Sequence, residues 1–129
     1  MAAAVWAAQE PLDMRVFGVP YSDPKLLAKP VGGSRAAGIP LHLGNGAILG
    51  ALYSAVARRV PGPALARGAA AGMAEHLATW PVVRFLPGVS LWGNHRAFAQ
   101  AVWRHLLFGA VLGVVYERLS EGYADDAPA

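Results

Sequence analysis

The chain has 129 residues, of which 55% are hydrophobic and only 15% are charged, against about 25% charged in an ordinary soluble domain. It contains no cysteine, which excludes disulfides, thiolate metal sites, iron–sulfur clusters and cysteine nucleophiles. The net charge is +3, but the basic residues are scattered along the chain, mostly at the ends of apolar segments. A nucleic-acid interface would instead cluster them with aromatic residues on one face. The composition therefore predicts a membrane protein that contacts the lipid bilayer and has no nucleic-acid partner.

The N-terminal part is predicted to hold a short helix and a long irregular segment. Residues 2–9 have a helical composition, and Glu10-Pro11 is expected to end the helix. A helix of about nine residues reaches only ~13 Å and cannot cross a bilayer, so we interpret it as a truncated remnant. Either the chain begins downstream of its natural start, or half a helix has been lost. Residues 13–38 are predicted to form an interfacial or loop segment, in which Ser22-Asp23-Pro24 indicates a capped short helix.

Three apolar segments are predicted to cross the bilayer, at residues 39–59, 64–80 and 97–117. Their lengths are close to the roughly 20 residues that an apolar helix needs, although the second is the weakest because it carries three ionisable side chains. Residues 82–95 are predicted as a loop, and residues 118–129 as a polar tail. The chain is thus expected to be a single membrane domain that crosses the inner (plasma) membrane several times.

One pattern occurs in both the first and the third segment. The stretches His42-Leu-Gly-Asn-Gly46-Ala-Ile-Leu-Gly50-Ala-Leu-Tyr53 and His105-Leu-Leu-Phe-Gly109-Ala-Val-Leu-Gly113-Val-Val-Tyr116 agree at seven of twelve positions. On a helix, the shared His, Gly, Gly and Tyr fall within an arc of roughly 80°. We interpret the pattern as the duplication of a helix hairpin. The predicted fold class is all-α, a small transmembrane helical bundle with three spans plus the truncated N-terminal helix.

Glycines four residues apart occur once in each predicted span. In lipid, small residues at this spacing allow two helix backbones to approach closely. The residues predicted to pack helices together are Gly46, Gly50, Gly68, Gly72, Gly109 and Gly113.

Polar side chains in the three spans fall at a similar depth if the spans run antiparallel. This polar layer contains His42, Asn45, Glu75, His76, Arg104 and His105. Ionisable groups inside a membrane are costly and usually face the interior of the bundle or a wet cavity. The structural interpretation is that Glu75 pairs with Arg104, while each histidine donates to a neighbouring carbonyl or caps a helix.

Functional interpretations of the same layer remain open. His42, Glu75 and His105 match the residue types of a two-histidine, one-carboxylate metal site, and two histidines on separate helices could ligate haem. No ligand pair has the short spacing of a zinc motif, so neither a metal nor a cofactor is predicted. A proton or ion path through His42, Glu75, Arg104 and His105 would make the chain a transporter or channel component. No catalytic motif occurs, so no catalytic residue is assigned and an enzyme is not supported.

Several motifs are spread over nearly the whole chain. They are Trp6-Ala-Ala-Gln-Glu-Pro-Leu-Asp, Tyr21-Ser-Asp, the duplicated His-x3-Gly-x3-Gly-x2-Tyr helix, Ala74-Glu75-His76 and Trp103-Arg-His105. In these motifs the chain resembles a family of small uncharacterised bacterial (actinobacterial-type) polytopic membrane proteins. The resemblance implies a polytopic helical membrane protein and no particular activity, and members of that family usually begin with a complete first helix.

The expected role is that of a structural or accessory helix-packing subunit, in a homo-oligomer or a membrane complex. A carrier should place its polar groups at the midplane between two repeats, whereas the polar layer predicted here lies off-centre. The alternatives are a small transporter or channel component and a metal- or haem-binding membrane protein.

Overall fold

A computed structural model describes residues 1–85 and 90–125, with side chains described as far as residue 122. These residues form five α-helices and no strand, so the all-α prediction is confirmed. The helices are α1 (Ala2–Phe17), α2 (Asp23–Leu27), α3 (Arg35–Val56), α4 (Ala64–Thr79) and α5 (His95–Asp125). Three short 3-10 turns follow α2, α3 and α4, at Lys29–Val31, Ala57–Arg59 and Trp80–Phe85.

The first helix does not end at Pro11, and the prediction of a remnant over residues 2–9 is wrong. Helix α1 continues through Pro11 to Phe17 and ends at Gly18, whose φ of 68° is left-handed. Proline has no N–H with which to bond the carbonyl four residues earlier. That carbonyl, of Ala7, instead accepts a hydrogen bond from Arg35 Nη2 at 3.1 Å. A side chain from α3 therefore compensates for the proline, and α1 extends over 16 residues.

The segment predicted as interfacial or loop, residues 13–38, is largely helical. It contains the end of α1, all of α2 and the start of α3. Helix α2 is capped as predicted, since the Ser22 side chain accepts a hydrogen bond from the Lys25 backbone N–H at 3.5 Å. Helix α3 begins at Arg35 rather than at residue 39. Helix α2 lies directly on it, because a Cβ added to Gly38 would clash with the Pro24 carbonyl.

Helices α4 and α5 pack with their backbones almost in contact. The approach occurs at four glycines, Gly68 and Gly72 on α4 and Gly109 and Gly113 on α5. A Cβ added to Gly68 would clash with the Gly109 carbonyl, and one added to Gly109 would clash with the Gly68 carbonyl. Helix α1 packs against α3 and α5, so α5 is the helix that joins the two halves of the bundle.

The remaining glycine pair, on α3, makes looser contacts. A Cβ added to Gly46 would lie 2.5 Å from the Ala3 Cβ on α1. A Cβ added to Gly50 would lie 3.8 Å from Leu112 Cδ1, which is ordinary van der Waals contact. The tighter contact of this glycine pair is thus with α1 rather than with another predicted span.

The last helix is longer than its predicted span. Helix α5 begins at His95 and continues to Asp125, so most of the predicted polar tail is helical and only residues 126–129 lie outside the described residues. Of the predicted loop at residues 82–95, the first part is a 3-10 turn and residues 86–89 lie outside the described residues.

Two helical segments are long and apolar enough to cross a membrane by length and composition, Arg35–Arg59 and His95–Gly122. Helix α4 has 16 residues and a length of ~24 Å, short of the ~30 Å hydrocarbon core. The predicted count of three spans is therefore not confirmed, and two apolar helices give only weak support for a membrane location.

The distribution of polarity is partly the reverse of that in a water-soluble core. Apart from Pro24, the largest fully buried side chains are polar or charged, namely Arg104, His76, Gln100, Glu10 and Asp13. Large apolar side chains point outward, among them Ile48 at 62% exposure, Leu52 at 61% and Leu77 at 60%. The interior of the bundle thus combines ion pairs and hydrogen bonds with two small hydrophobic clusters, one around Leu91 and Ala101 and one around Trp6 and Phe108.

Candidate functional site

The guanidinium of Arg104 lies at the centre of a buried ion cluster. Both oxygens of Asp13 accept hydrogen bonds from it, from Nε and from Nη2, each at 2.6 Å. Its Nη1 contacts the carboxylate of Asp23 and lies 3.6 Å from that of Glu10. The Arg104 side chain is fully buried, so these three carboxylates compensate a charge that water does not reach. Bidentate Arg–carboxylate pairs of this kind are the strong, geometrically specific ones.

Helix α1 supplies two of the three carboxylates because it continues past Pro11. Glu10 accepts hydrogen bonds from the Ser22 hydroxyl at 2.9 Å and the Asp23 backbone N–H at 3.0 Å, and it pairs with Arg35 at 3.3 Å. It therefore ties the start of α2 and the start of α3 to α1.

Asp13 has a further buried donor on α5. The side-chain amide of Gln100 donates to it at 2.6 Å, beside the two bonds from Arg104. Tyr21 covers the other side of Arg104, whose Cζ lies 4.5 Å from the centre of the phenol ring. Burial raises the pKa of the Tyr21 phenol, so this ring stays neutral beside the guanidinium. The cluster is closed on all of these sides and leaves Arg104 no free donor direction toward a ligand.

A second polar group lies one residue further along α5. His105 Nδ1 lies 2.7 Å from the Ala101 carbonyl, and its Nε2 lies 2.7 Å from a carboxylate oxygen of Glu75 on α4. Because Nδ1 faces an acceptor, it carries a proton, and one further proton must then lie between Nε2 and Glu75. The pair is neutral overall wherever that proton resides.

Four aromatic rings form a row from α4 to α3. His76 contacts His105 with ring centres 4.6 Å apart, His105 contacts Trp6 at 4.7 Å, and Trp6 contacts His42 at 5.2 Å. The indole N–H of Trp6 donates to Asp23 at 3.2 Å, which joins this row to the ion cluster.

The row of rings lines a cavity of about 330 Å³ between α3 and α4, with α1 and α5 behind it. Five of the six predicted polar-layer residues line this cavity, His42, Asn45, Glu75, His76 and His105. Arg104 does not, because it is buried in the ion cluster. The structure thus places these five side chains around one cavity, while the sixth belongs to a different group.

Two details of the predicted polar layer are wrong. Glu75 pairs with His105 rather than with Arg104, whose partners are the carboxylates of α1 and α2. His105 bonds a carbonyl as expected, and His42 has a backbone hydrogen bond with Ala3 while its Nε2 has no partner. Neither ring nitrogen of His76 has a hydrogen-bonding partner among the described residues.

Sequence reasoning missed the carboxylates of the ion cluster. Trp6, Glu10 and Asp13 are spaced four and three residues apart, which places them on one face of a helix. This spacing can be read from the sequence, but it places the three residues on one face only if the helix continues through Pro11. Gln100 lies four residues before Arg104 and carried a similar signal on α5.

Within residues 1–85 and 90–122, no three His, Asp or Glu side chains are placed to hold a metal ion together. His105 already uses both ring nitrogens, so the metal set of His42, Glu75 and His105 receives no support from this geometry. For the same reason, His105 has no free ring nitrogen with which to ligate haem. The four residues of the transport alternative are divided between the cavity and the closed ion cluster.

A protein-family model described as "Family of unknown function (DUF6789)" matches residues 15–126. The chain belongs to this family. The matched range of the DUF6789 chain includes α2 to α5 and every residue of the predicted polar layer, whereas Trp6, Glu10 and Asp13 precede it. No curated protein and no solved structure matches the chain.

Proposed function

We propose that this DUF6789 protein is a multi-pass protein of the inner (plasma) membrane that acts as a structural or accessory helix-packing subunit. Its outward face on α3 would pack against a helix of a second copy or of a membrane complex.

The reversed distribution of polarity supports the membrane part of this proposal. In water, leucine and isoleucine side chains that stay exposed along a helix contribute no free energy of burial. In lipid the same side chains face a solvent that is as apolar as they are. Buried charges are paired and face the bundle interior, as in other membrane proteins. Arg104 and its three carboxylates fit this pattern.

The observation that carries the packing role is a stripe of small residues on the outer face of α3. It consists of Gly44, Ala47, Ala51 and Ala55, all of them exposed. On a helix these four positions fall within an arc of roughly 80°, opposite the buried His42 and Tyr53. A surface that faces only lipid has no need of small residues, whereas a helix partner does, because they allow its backbone to come close.

Cysteine crosslinking tests this role directly, since the natural chain has no cysteine. We expect Ala51→Cys, in the centre of the stripe, to form a crosslinked product of discrete mass when membranes are oxidised. Twice the chain mass would identify a second copy, and any other discrete mass a different subunit.

Leu77→Cys on α4 is the matched control, because Leu77 is 60% exposed but lies outside the stripe. It is expected to remain monomeric under the same oxidation. If Ala51→Cys remains monomeric to the same extent as Leu77→Cys, the packing role is contradicted even if the protein is in the membrane.

A further inference from the structure

We propose that the cavity between α3 and α4 binds an uncharged, ring-bearing lipophile with the hydrogen-bonding groups of an isoprenoid quinone or its quinol. The inference rests on the membrane location proposed above, because such a ligand would reach the cavity from the lipid.

The cavity has the size and access for a small ligand. Its volume of about 330 Å³ lies at the lower end of the range typical of small-molecule sites, ~300–1,000 Å³. Helices α3 and α4 follow one another in the chain, but α3 packs mainly against α2 and α1, and α4 against α5, rather than against each other. The cleft between them is therefore partly open on the outer side of the bundle, which leaves a path for an apolar tail.

Two buried histidines face this cavity with unused hydrogen-bonding atoms. His76 is fully buried, and neither of its ring nitrogens has a partner among the described residues. His42 is 5% exposed, and its Nε2 has no partner either. Buried polar atoms in proteins are normally satisfied, and an unpaired one is costly. A ligand that offers a carbonyl or hydroxyl to these nitrogens removes that cost.

The charge and the lining of the cavity favour an uncharged ligand. Two carboxylates line it, those of Glu75 and Asp23. Glu75 is paired with His105, and Asp23 with Arg104. The Glu75–His105 pair is neutral, but Asp23 shares the charge of Arg104 with Asp13 and Glu10, so the walls repel an anion. The rest of the lining is largely apolar, which disfavours a cation.

The shape of the walls favours a flat ring. Trp6, Trp80 and Phe108 line the cavity together with the histidines. His76 and His42 lie at the two ends of the row of rings, separated by His105 and Trp6. A ring that carries oxygens can contact the aromatic walls and offer a hydrogen-bonding group to a buried histidine. A quinone or quinol has such oxygens, and its prenyl tail is soluble in the bilayer.

Tryptophan fluorescence tests the proposal, because Trp6 and Trp80 line the cavity and quinones quench indole emission. The full chain is purified into phosphatidylcholine nanodiscs and titrated with decyl-benzoquinone. We expect saturable quenching by the quinone. Decylbenzene has the tail and ring but no oxygen and does not quench indole, so it is added as a competitor and is expected not to relieve the quenching.

His76→Leu removes both unpaired nitrogens and is expected to weaken binding at least tenfold. His76→Gln keeps a donor and an acceptor and is expected to retain most of the affinity, which separates lost hydrogen bonding from a misfolded variant. His95→Gln is the matched control, since His95 is exposed and does not line this cavity. Its affinity should equal that of the natural chain.

Non-saturable quenching, or equal affinities for the natural chain and His76→Leu, would overturn the binding proposal. Alkaline carbonate extraction of the cell membranes separates this failure from that of the membrane location. A chain that resists extraction but does not bind quinone leaves the membrane proposal intact. A chain released into the aqueous phase overturns both proposals.

Discussion

Arg104 is the residue on which the α1, α2 and α5 helices converge. Its charge is buried and is balanced by Asp13, Glu10 and Asp23 from two other helices. A buried ion pair is weak support for stability in itself, because desolvation offsets much of the Coulomb attraction. Removing Asp13 is different, since Arg104 then keeps Glu10 and Asp23 but loses its bidentate partner while it stays buried. We therefore interpret the cluster as the element that fixes where α1 sits against α5.

Asp13→Asn is expected to lower the free energy of unfolding by about 3 kcal/mol, since it removes the negative charge that Arg104 bonds through both oxygens. Glu117→Gln is the comparison, because Glu117 is 43% exposed in its ion pair with Arg67. This substitution should lower the free energy of unfolding by less than about 1 kcal/mol. Denaturant titrations in micelles, followed by helical circular dichroism, measure both. Equal losses from the two variants would show that burial of the Arg104 cluster makes no difference.

The sequence located the polar residues of the spans but not their partners. His42, Glu75, His76 and His105 could be grouped because they occur at similar depths in apolar segments. Which polar side chains pair depends on the rotation of each helix about its axis and on which further helix packs beside it. Neither can be read from the spacing of residues in the sequence. The partners of Arg104 on α1 are Glu10 and Asp13. The local sequence places Glu10 at a helix end and Asp13 in a loop, so it does not predict this pairing.

At the scale of helices, the α4–α5 contact depends on the absence of side chains. Each of the four glycines there faces backbone of the other helix, so even a methyl group has no room. Small residues at this spacing are typical of closely packed membrane helices. The approach also brings Glu75 of α4 within reach of His105 on α5, so the close contact positions one wall of the cavity.

Gly109→Ala is expected to destabilise the protein by about 1–3 kcal/mol, because its Cβ would clash with the Gly68 carbonyl and force the helices apart. Gly122→Ala, on the same helix with nothing within 4 Å of its Cβ, should instead stabilise by about 0.5–1 kcal/mol through helix propensity. Thermal unfolding of the two variants in the same detergent gives the comparison. A similar shift in Tm for both would indicate that helix propensity alone decides the outcome.

Helix α1 shows why proline is an uncertain guide to helix ends. The local rule is sound, since Pro11 does lose a hydrogen bond, but the freed Ala7 carbonyl is bonded by Arg35, 28 residues away in the chain. Such compensation depends on tertiary structure and leaves no trace in the local sequence. By contrast, the α2 cap at Ser22 is local and could be predicted.

For the whole molecule, the arrangement of polarity determines which solvent the fold requires. Helix α3 exposes Leu41, Ile48, Leu52 and Val56 on one side, while its buried face is narrow and includes His42. In water this surface would be an aggregation hazard, because exposed apolar patches of this extent mark contact sites. In lipid the same surface is the ordinary exterior of a span, and the ion cluster inside is shielded from exchange with water.

Ile48→Asp tests that requirement at the centre of α3. A charge at the middle of a membrane helix costs roughly 2.5–3.5 kcal/mol on the insertion scale, so we expect a large loss of carbonate-resistant protein. Val31→Asp places the same charge at an equally exposed site, 62% in both cases, but in the 3-10 turn before α3, and should insert normally. Were α3 surrounded by water, both substitutions would be ordinary changes at exposed positions and would be tolerated alike. A difference confined to Ile48→Asp therefore identifies lipid as the surroundings of α3, whereas equal amounts of membrane-bound protein for the two variants would contradict it.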